Sequence, residues 1–372
     1  MTEKQLSEVS VPARIAAPDE GITQDELHLA GRNHAMPLEA LRYDITPVGL
    51  HYLLVHYDIP DVDPDRWRLV IDGRVGRTVE YTLADLWARP KVTRTVTFEC
   101  AGNGRALLTP RPLSQPWLDG AVGTARWGGT PLAPLLREAG IGADAVDVVF
   151  TGRDHGIERG VEQDFTRGLP LAEALREDVL LAYEMNDAPL PPQHGAPLRL
   201  VVPGWYGMAQ VKWLRGITLT NCPFDGFQQT TAYRLKQGAD EIGEPVTRIM
   251  PRALMIPPGF PDFMSRVRVV DAGVHVVTGR AWSGRSAVRA VEFSADDGRT
   301  WAAAELGARA GGEGDDFAWY AWRFVWRTDR PGSHRLRVRA TDAEGVSQPR
   351  EQAWNRQGMA NNMAQCVEAI VR

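Results

Sequence analysis

Residues 95–105 of the chain read Thr95-Val-Thr-Phe-Glu-Cys-Ala-Gly-Asn-Gly-Arg105. The β-branched and aromatic residues in the first half predict a strand, and the glycines and asparagine that follow predict a turn. Cys100 stands where the two meet. A thiol at a strand end can face a cleft, and the nearby Arg105 cation would favour the thiolate, which is the form of cysteine that binds metals. Free cysteine more often only fills space in a core, so this stretch alone leaves both interpretations open.

The composition is that of an ordinary globular protein with two or three domains. The chain has 372 residues, of which 44% are hydrophobic and 24% are charged. The net charge is −5 and no run of lysine and arginine is dense, so we expect no nucleic-acid partner. An anionic substrate would need positive charge that is concentrated locally. The three cysteines are too few and too far apart for a disulfide framework or a zinc ribbon.

The first residues carry no apolar core and no twin arginine, so no export signal is visible. No apolar run approaches about 18 residues, the length that a membrane-spanning helix needs, and we expect no membrane association. These features predict a cytoplasmic protein, or a periplasmic one if a signal has been removed. Residues 1–30 are polar and are predicted to form an N-terminal extension that is loose or wraps over a partner surface.

Residues 31–237 are predicted to form an α+β domain. Short strands alternate there with short helices, and proline or glycine marks nearly every junction. The predicted strands are Trp67–Asp72, Val92–Phe98, Val146–Thr151 and Leu198–Val202, and the predicted helices are Leu83–Arg89, Pro131–Ala139 and Leu171–Glu177.

Residues 238–372 are predicted to form an all-β sandwich of the immunoglobulin type, because strand patterns follow one another with hardly a helix. A tight hairpin is expected at Asp296-Asp-Gly-Arg-Thr-Trp301, where the Asp-Gly pair can adopt positive φ angles. The paired cysteines of antibody domains are missing, so the core alone must hold the sandwich. The predicted strands are Val267–Asp271, Val274–Ala281, Ala290–Ser294, Ala321–Trp326 and His334–Thr341.

Several motifs of common enzyme classes are absent from the sequence. There is no Gly-x-Gly-x-x-Gly after a strand, no P-loop, no His-Glu-x-x-His, no Gly-x-Ser-x-Gly and no Cys-x-x-Cys-His. Dinucleotide binding, nucleotide hydrolysis and zinc hydrolysis therefore have no support. His51 and His56 lie five residues apart in a strand-like segment, and we expect a surface or packing role for them and not a metal pair.

Four further segments accompany the cysteine stretch. They are Gly31-Arg-Asn-His34, Trp117 with Gly120–Gly129, Leu180–Asn186 with His194-Gly-Ala-Pro-Leu-Arg199, and Val201–Leu214. Together with Phe98-Glu-Cys-Ala-Gly-Asn103 they resemble, in order and at suitable spacing, the sulfite oxidase family of molybdenum enzymes. The resemblance runs from about residue 30 to the C-terminus.

The resemblance implies a molybdopterin-binding catalytic domain, followed by an immunoglobulin-like domain used for homodimer formation. One molybdenum–molybdopterin cofactor per chain is implied, with no haem. Cys100 takes the place of the thiolate that ligates molybdenum, and soft ligands suit such a metal. Residues implied to contact the pterin and its phosphate are Asn33, His34, Asp154, His194, Arg199, Gln210 and Lys212. Without the His194-Gly-Ala-Pro frame, Arg199 would be interpreted as a surface charge at a strand start.

On the substrate side, Arg32, Arg105, Trp117 and Tyr233 match the family's oxyanion pocket. Guanidinium groups bind an anion such as sulfite through paired hydrogen bonds and raise its local concentration. Trp117 is expected to wall the pocket and Tyr233 to donate a hydrogen bond, although ordinary packing would also explain these two aromatic residues.

The chain departs from the family's animal and plant enzymes at two points. Gly104 follows Asn103 where those enzymes have a second arginine, so the predicted anion pocket has less positive charge. Trp354-Asn-Arg-Gln-Gly358 resembles their Trp-Asn-x-Arg-Gly segment, but Arg356 comes one place early and Gln357 takes the place of the arginine. Whether Arg356 compensates stays open at this point.

The implied activity is oxidation of sulfite to sulfate by oxygen-atom transfer, with electrons passed to an external acceptor such as a cytochrome. The first alternative is oxidation of another sulfur compound, such as sulfane sulfur or thiosulfate, or reduction of an S-oxide such as methionine sulfoxide. A second alternative is a non-catalytic immunoglobulin-like binding protein. A nitrate reductase fragment is a weaker alternative, because the haem and flavin domains of that enzyme have no counterpart in the sequence.

Overall fold

The computed structural model describes residues 4–11 and 13–372. Its helices are short, and within the described residues none is long and apolar enough to cross a membrane. The α-helices are α1 (Leu6–Val9), α2 (Gln24–Arg32), α3 (Leu83–Trp87), α4 (Leu132–Ala139) and α5 (Leu171–Ala174). Turns of 3₁₀-helix cover Leu38–Arg42, Val48–Leu50, Arg105–Leu107, Pro192–His194 and Gly207–Ala209, and a π-helical turn covers Gln228–Ala232.

Strands are the main regular secondary structure of the described residues. The strands of the N-terminal half are β1 (Leu69–Gly73), β2 (Val79–Tyr81), β3 (Val92–Glu99), β4 (Val122–Pro131), β5 (Asp147–Glu158), β6 (Val161–Pro170), β7 (Leu180–Met185), β8 (Ala188–Pro189), β9 (Arg199–Val201), β10 (Gly216–Thr220), β11 (Arg234–Leu235) and β12 (Glu244–Pro245). Those of the C-terminal half are β13 (Arg252–Met255), β14 (Phe260–Pro261), β15 (Arg268–Val270), β16 (Gly273–Trp282), β17 (Val288–Ser294), β18 (Ala302–Ala303), β19 (Glu305–Arg309), β20 (Tyr320–Thr328), β21 (Gly332–Asp342) and β22 (Gln365–Val371).

Two sheets with helices between their strands form the first domain, as the α+β prediction expects. One has the order β2-β1-β10-β5-β6, and the other has the order β3-β4-β7-β8 with β9 beside β7. Helix α4 buries Leu132, Leu135 and Leu136 in the same core as Ile71 and Phe150 of the first sheet. This burial holds the helix, because eight residues alone make a marginal helix.

The predicted strands of this domain are present, with different ends. The strand predicted at Val146–Thr151 continues as β5 to Glu158, because it forms a long hairpin with β6. The helix predicted at Leu171–Glu177 stops at Ala174, where Arg176 turns away to pair with Glu173 and Asp178.

The second domain is a two-sheet β-sandwich, which confirms the predicted fold class. One sheet has the order β13-β16-β20-β19 and the other β14-β15-β22-β21-β17-β18. Val277 and Trp322 of the first sheet pack against Phe293, Leu336 and Val338 of the second in one core. A core of this kind holds the sandwich through burial of apolar surface.

The predicted Asp-Gly turn lies between β17 and β18. Asp297 and Gly298 both have positive φ, at 64° and 80°, which is the backbone conformation that this residue pair accepts at low cost. The carboxylate of Asp296 accepts hydrogen bonds from the backbone N–H groups of Arg299 (3.0 Å) and Thr300 (2.9 Å). The connection between the two strands is therefore longer than a two-residue turn and is stabilised by a side chain.

The N-terminal extension differs from the expectation over the residues that the structure describes. Helix α2 starts at a capping box in which Thr23 Oγ1 accepts from the backbone N–H of Glu26 (3.2 Å). Glu26 is buried and pairs with Arg111 (3.0 Å), and Ile15 forms a β-bridge with Pro112. The segment thus packs on its own chain. The predicted boundary at residue 238 stays a prediction, and the β11–β12 pair spans it.

Candidate active site

Cys100 lies directly after β3, at the point where two cavities meet. Its side chain is 7% exposed. The first cavity is lined by residues that include His51, Asp154, His194, Arg199, Gln210 and Lys212. The second cavity has a volume of about 280 Å³ and is lined by residues that include Arg105, Trp117, Glu158, Arg159, Arg356 and Gln357. The residues that line both cavities are Leu54, His56, Cys100 and Tyr233.

Burial raises the pKa of the Cys100 thiol. The charge of Arg105 acts in the opposite direction, as the sequence predicts, but desolvation outweighs it. The expectation that Arg105 makes the thiol acidic is therefore wrong for the unligated thiol. A metal that binds the sulfur would displace its proton.

Arg199 is the buried cation of the first cavity. Its guanidinium lies over the rings of Phe98 (4.9 Å) and Trp127 (4.6 Å) and donates to the carbonyls of His194 (2.8 Å) and Gln210 (3.2 Å). Its Nε has no hydrogen-bond partner among the described residues. Burial lowers the pKa of Arg199 to about 10, so it stays charged at neutral pH. The interpretation of Arg199 as a surface charge is excluded, since the residue is 5% exposed.

Lys212 and Asp154 line the same cavity, and the charge of each acts on the pKa of the other. The ammonium of Lys212 donates to the carbonyls of Leu54 (2.7 Å) and Gln193 (3.2 Å). Asp154 is buried, and one carboxylate oxygen has no partner among the described residues. Burial raises the pKa of Asp154 and lowers that of Lys212, so each loses part of its charged character. The carboxyl group is left free to bind an N–H donor.

Two histidines complete this cavity. The rings of His51 and His194 meet edge to face with centroids 5.5 Å apart. Burial lowers the pKa of His51 to about 4 and that of His194 to about 2, so both are neutral at pH 7. His51 Nδ1 lies 3.0 Å from the Tyr52 carbonyl, and its Nε2 has no partner among the described residues. These rings supply hydrogen bonds and no charge.

These groups fit a phosphate-bearing pterin. Arg199 offers positive charge to a phosphate, and a phosphate beside Lys212 would favour the charged form of its amine. Asp154 and His51 keep buried polar atoms that protein groups in the described chain do not satisfy. Buried polar atoms without a partner are rare in proteins and call for a ligand or a water. These residues therefore fit the molybdopterin cofactor that the sequence resemblance implies.

Arg105 is the buried cation of the second cavity, where it is 5% exposed. Its guanidinium donates to the carbonyls of Gln357 (2.9 Å) and Gln115 (3.1 Å), and it pairs with no carboxylate in the described chain. Burial lowers its pKa from the usual value. A Cβ at Gly102 would lie 2.6 Å from the guanidinium, so a larger residue there would displace the Arg105 side chain from this position. The charge is free to bind an anion.

Trp117 and Tyr233 lie beside Cys100, as the sequence predicts. Trp117 is 3% exposed and its indole N–H has no partner in the described chain. The Tyr233 hydroxyl lies 2.7 Å from His56 Nε2, and burial raises its pKa far above the usual value. Tyr233 is therefore a neutral hydroxyl that faces both cavities.

The segment Arg32-Asn33-His34 does not reach either cavity, which corrects its predicted position. Arg32 is exposed and donates to the Tyr57 carbonyl and to Asp58 (3.0 Å). Asn33 is buried, but its amide binds the Leu29 carbonyl (2.9 Å), Gln115 (3.0 Å) and the Val55 N–H (2.7 Å). His34 is exposed and lies on neither cavity. The hydrogen bonds of Arg32 and Asn33 hold their side chains outside the lining of both cavities.

Leu54 and His56 stand at the cavities instead. They belong to a segment that pairs with His34 through the bridge to Leu53, so the two segments are neighbours and only one of them faces Cys100. His56 is stacked on Phe165 (4.6 Å) and burial lowers its pKa to about 3. With Arg32 outside and the apolar Leu54 in its lining, the second cavity has one cation fewer than the predicted anion pocket.

Gln210 lines the first cavity with an amide that is already bound. Its Nε2 donates to the carbonyls of Val202 (2.8 Å) and Trp205 (3.0 Å), and its Oε1 accepts from the Val202 N–H (2.6 Å). Gln210 thus holds the loop that follows β9. Arg356 and Gln357 both line the second cavity, so the arginine that comes one place early still reaches it.

Sequence reasoning missed His51, His56, Arg14 and Arg159 as cavity residues. The sequence carries only an indirect signal for His51. A Cβ at Gly123 of β4 would lie 2.5 Å from the His51 ring, so the glycine marks a close approach inside a strand. Nothing in the sequence marks Arg14 or Arg159, which come from the N-terminal extension and from the β5–β6 turn.

Two family models match the chain. The oxidoreductase molybdopterin binding domain matches residues 56–228, and the Mo-co oxidoreductase dimerisation domain matches residues 261–370. The second match supports a homodimer.

Known proteins agree with these models. Sulfite oxidase of Gallus gallus is 34% identical over 343 residues, which cover 85% of this chain and 71% of that protein. NADH nitrate reductase 1 of Arabidopsis thaliana is 28% identical over 90% of this chain and 40% of that protein. The sulfane dehydrogenase SoxCD of Paracoccus pantotrophus has the same fold, with a TM-score of 0.77 at 23% identity over 100% of this chain and 97% of that one. The chain belongs to the sulfite oxidase family of molybdopterin-dependent oxidoreductases.

Proposed function

We propose that the protein oxidises sulfite to sulfate and passes the electrons to an external acceptor. The observation that carries this proposal is the position of Cys100 between two cavities. The first has buried cations suited to a phosphate, and in the second the buried Arg105 guanidinium has no carboxylate partner among the described residues. In the net reaction, sulfite and water give sulfate, two protons and two electrons.

Cys100 would ligate the molybdenum, while Arg199, Lys212, His194 and Asp154 would hold the pterin and its phosphate. When bound, this cofactor supplies the two-electron oxygen-atom transfer chemistry. The protein contributes position and electrostatics. Because Arg199 and Lys212 are tied to backbone carbonyls, they are held in place before the ligand binds.

Arg105 attracts and orients the anion next to Cys100. Its two carbonyl contacts fix the guanidinium, so little side-chain entropy remains to be lost when the anion binds. The neutral Tyr233 hydroxyl and the Trp117 indole N–H are donors that can bind oxyanion oxygens. Arg14, Arg159 and Arg356 lie on the same cavity, and Glu158 opposes them. The site thus concentrates positive charge within an acidic chain.

A second candidate is a larger sulfur compound, either a sulfane or thiosulfate that is oxidised or an S-oxide that is reduced. Apolar side chains favour it, because Leu54, Ile157 and Met359 line the second cavity while Arg32 lies outside. The volume of about 280 Å³ exceeds what a four-atom anion fills.

The experiment compares substrates on the purified holoenzyme. Initial rates are measured with sulfite and thiosulfate against ferricyanide, and with methionine sulfoxide against a reduced viologen. We expect the highest kcat/KM for sulfite, and Cys100→Ser as a control should abolish it. A higher kcat/KM for either of the other substrates would replace sulfite oxidation as the proposed activity.

A further inference from the structure

Glu99, the residue before Cys100, accepts hydrogen bonds from side chains of the β-sandwich domain. Glu99 is 2% exposed, and each of its carboxylate oxygens accepts hydrogen bonds. Oε1 accepts from Arg252 Nη1 (3.1 Å) and from Asn103 Nδ2 (2.9 Å), and Oε2 accepts from Trp282 Nε1 (2.8 Å). Two of the three donors belong to the β-sandwich. A buried carboxylate needs such partners, because an unpaired one would be strongly destabilising.

The two donors of the sandwich, Arg252 and Trp282, lie on one pair of neighbouring strands. Arg252 begins β13, Trp282 ends β16, and the two residues are directly opposite in the antiparallel register. Arg252 is completely buried, and it also donates to Asp119 (2.6 Å) and to the Asn361 carbonyl (2.6 Å). The register of the sheet therefore fixes the position of the Glu99 carboxylate.

A second segment of the sandwich domain contacts the turn that follows Cys100. The backbone N–H of Ala360 donates to the Ala101 carbonyl (2.7 Å), and Asn361 Nδ2 donates to the Gly104 carbonyl (2.8 Å). The Gln357 carbonyl accepts from Arg105, as described above. The turn at residues 101–105 is thus bound on one side by its own domain and on the other by the C-terminal domain.

We infer that Arg252, Trp282 and Asn361 are positioning residues for Cys100, so that the sandwich domain orients the metal ligand from behind. The inference rests on the proposed function of Cys100 as metal ligand. Groups that orient a metal ligand commonly change metal affinity or activity by about 10- to 100-fold when they are removed. They act through the ligand and contact neither substrate nor cofactor.

The test uses Trp282→Phe in the holoenzyme, with Trp319→Phe as the matched control. The substitution at Trp282 keeps an aromatic ring, removes the N–H that binds Glu99, and leaves a small cavity in the core, which the control substitution also creates. Trp319 is also buried, belongs to the same domain, and donates to the Asp44 carbonyl at the same 2.8 Å, but it makes no hydrogen bond to Glu99 or to the cysteine turn. Its ring lies beside that of Trp282, with centroids 6.3 Å apart, so the control also accounts for altered packing around Trp282. Both variants should lose thermal stability, and Trp282→Phe should lose more, because it leaves Glu99 Oε2 without its donor while the control loses a bond to a neutral carbonyl.

Three quantities are measured on each variant: molybdenum per chain, the visible absorption of the metal centre, and the separate values of kcat and KM. We expect Trp282→Phe to change the absorption spectrum or lower the molybdenum content, and to lower kcat about tenfold with KM within twofold. The control should match the wild type in all three. Unchanged spectrum, metal and kcat in Trp282→Phe, or equal changes in both variants, would overturn the inference.

Asn361→Ala gives a second test if Trp282→Phe does not fold. It removes the donor to the Gly104 carbonyl, together with a local acceptor of the Met363 N–H, and changes no residue of the sandwich core. The same pattern is expected against the same control, and wild-type values for all three quantities would count against the inference. Metal content and spectrum do not depend on the substrate, so the inference can fail while sulfite oxidation holds, and the reverse is equally detectable.

Discussion

Arg105→Gln tests the proposed anion site. Arg105 is 5% exposed and its guanidinium has no carboxylate partner among the described residues, so its charge is available to a bound anion. A hydrogen bond to a charged group contributes about 1.5–3 kcal/mol, and about 1.4 kcal/mol corresponds to a factor of ten in affinity. The variant should therefore raise KM for sulfite by about 10- to 150-fold. The change in kcat should be smaller, because the contact is made to the bound ground state as well as to the transition state.

Steady-state kinetics with ferricyanide measure this change, and Arg268→Gln is the matched control. Arg268 is also a buried arginine that donates only to backbone carbonyls, those of Pro257, Pro258 and Gly259, and it lies in the sandwich. Arg268→Gln should leave the KM for sulfite unchanged and should lower the free energy of unfolding by about as much as Arg105→Gln. A KM for Arg105→Gln within threefold of the wild type, in protein with normal molybdenum content, would remove Arg105 from substrate binding.

Two further predictions concern the cofactor and the sandwich. Arg199→Met should fold with little change in thermal stability, because removal of a buried charge without a carboxylate partner among the described residues offsets the lost bonds to the His194 and Gln210 carbonyls. Its molybdenum content should nevertheless fall severalfold, and normal metal loading would contradict the phosphate role. Asp296→Ala should cost about 1 kcal/mol of unfolding free energy near neutral pH. The hydrogen bonds from Thr300 lower the pKa of Asp296 to about 2, so this stabilisation is complete above about pH 4 and is lost as the pH falls toward 2. Denaturant titrations that show the same pH dependence in variant and wild type would refute it.

The fold could be predicted because its signals are local. Strands such as β3 and β16 follow from runs of β-branched and aromatic residues, and the Asp297-Gly298 turn follows from residues that accept positive φ. The strand ends were less predictable. β5 extends to Glu158 because β6 pairs with it, and that pairing depends on tertiary structure.

The site was predicted only in part, because a motif does not state which way its side chains face. Arg105 and Arg199 lie at the cavities as expected, but Arg32 is directed to Asp58 by the end of α2. His56 occupies the cavity with no motif around it. Contacts between distant residues are invisible to a local pattern, and the Arg252–Glu99 pair, 153 residues apart, is the clearest case.

The central claim is that the Cys100 sulfur ligates molybdenum. Molybdenum X-ray absorption of the wild-type holoenzyme and of Cys100→Ser tests it most directly, with metal content measured on the same samples. We expect molybdenum in both proteins, with one sulfur neighbour fewer in Cys100→Ser. A wild-type protein without molybdenum, or the same number of sulfur neighbours in both proteins, would contradict the claim.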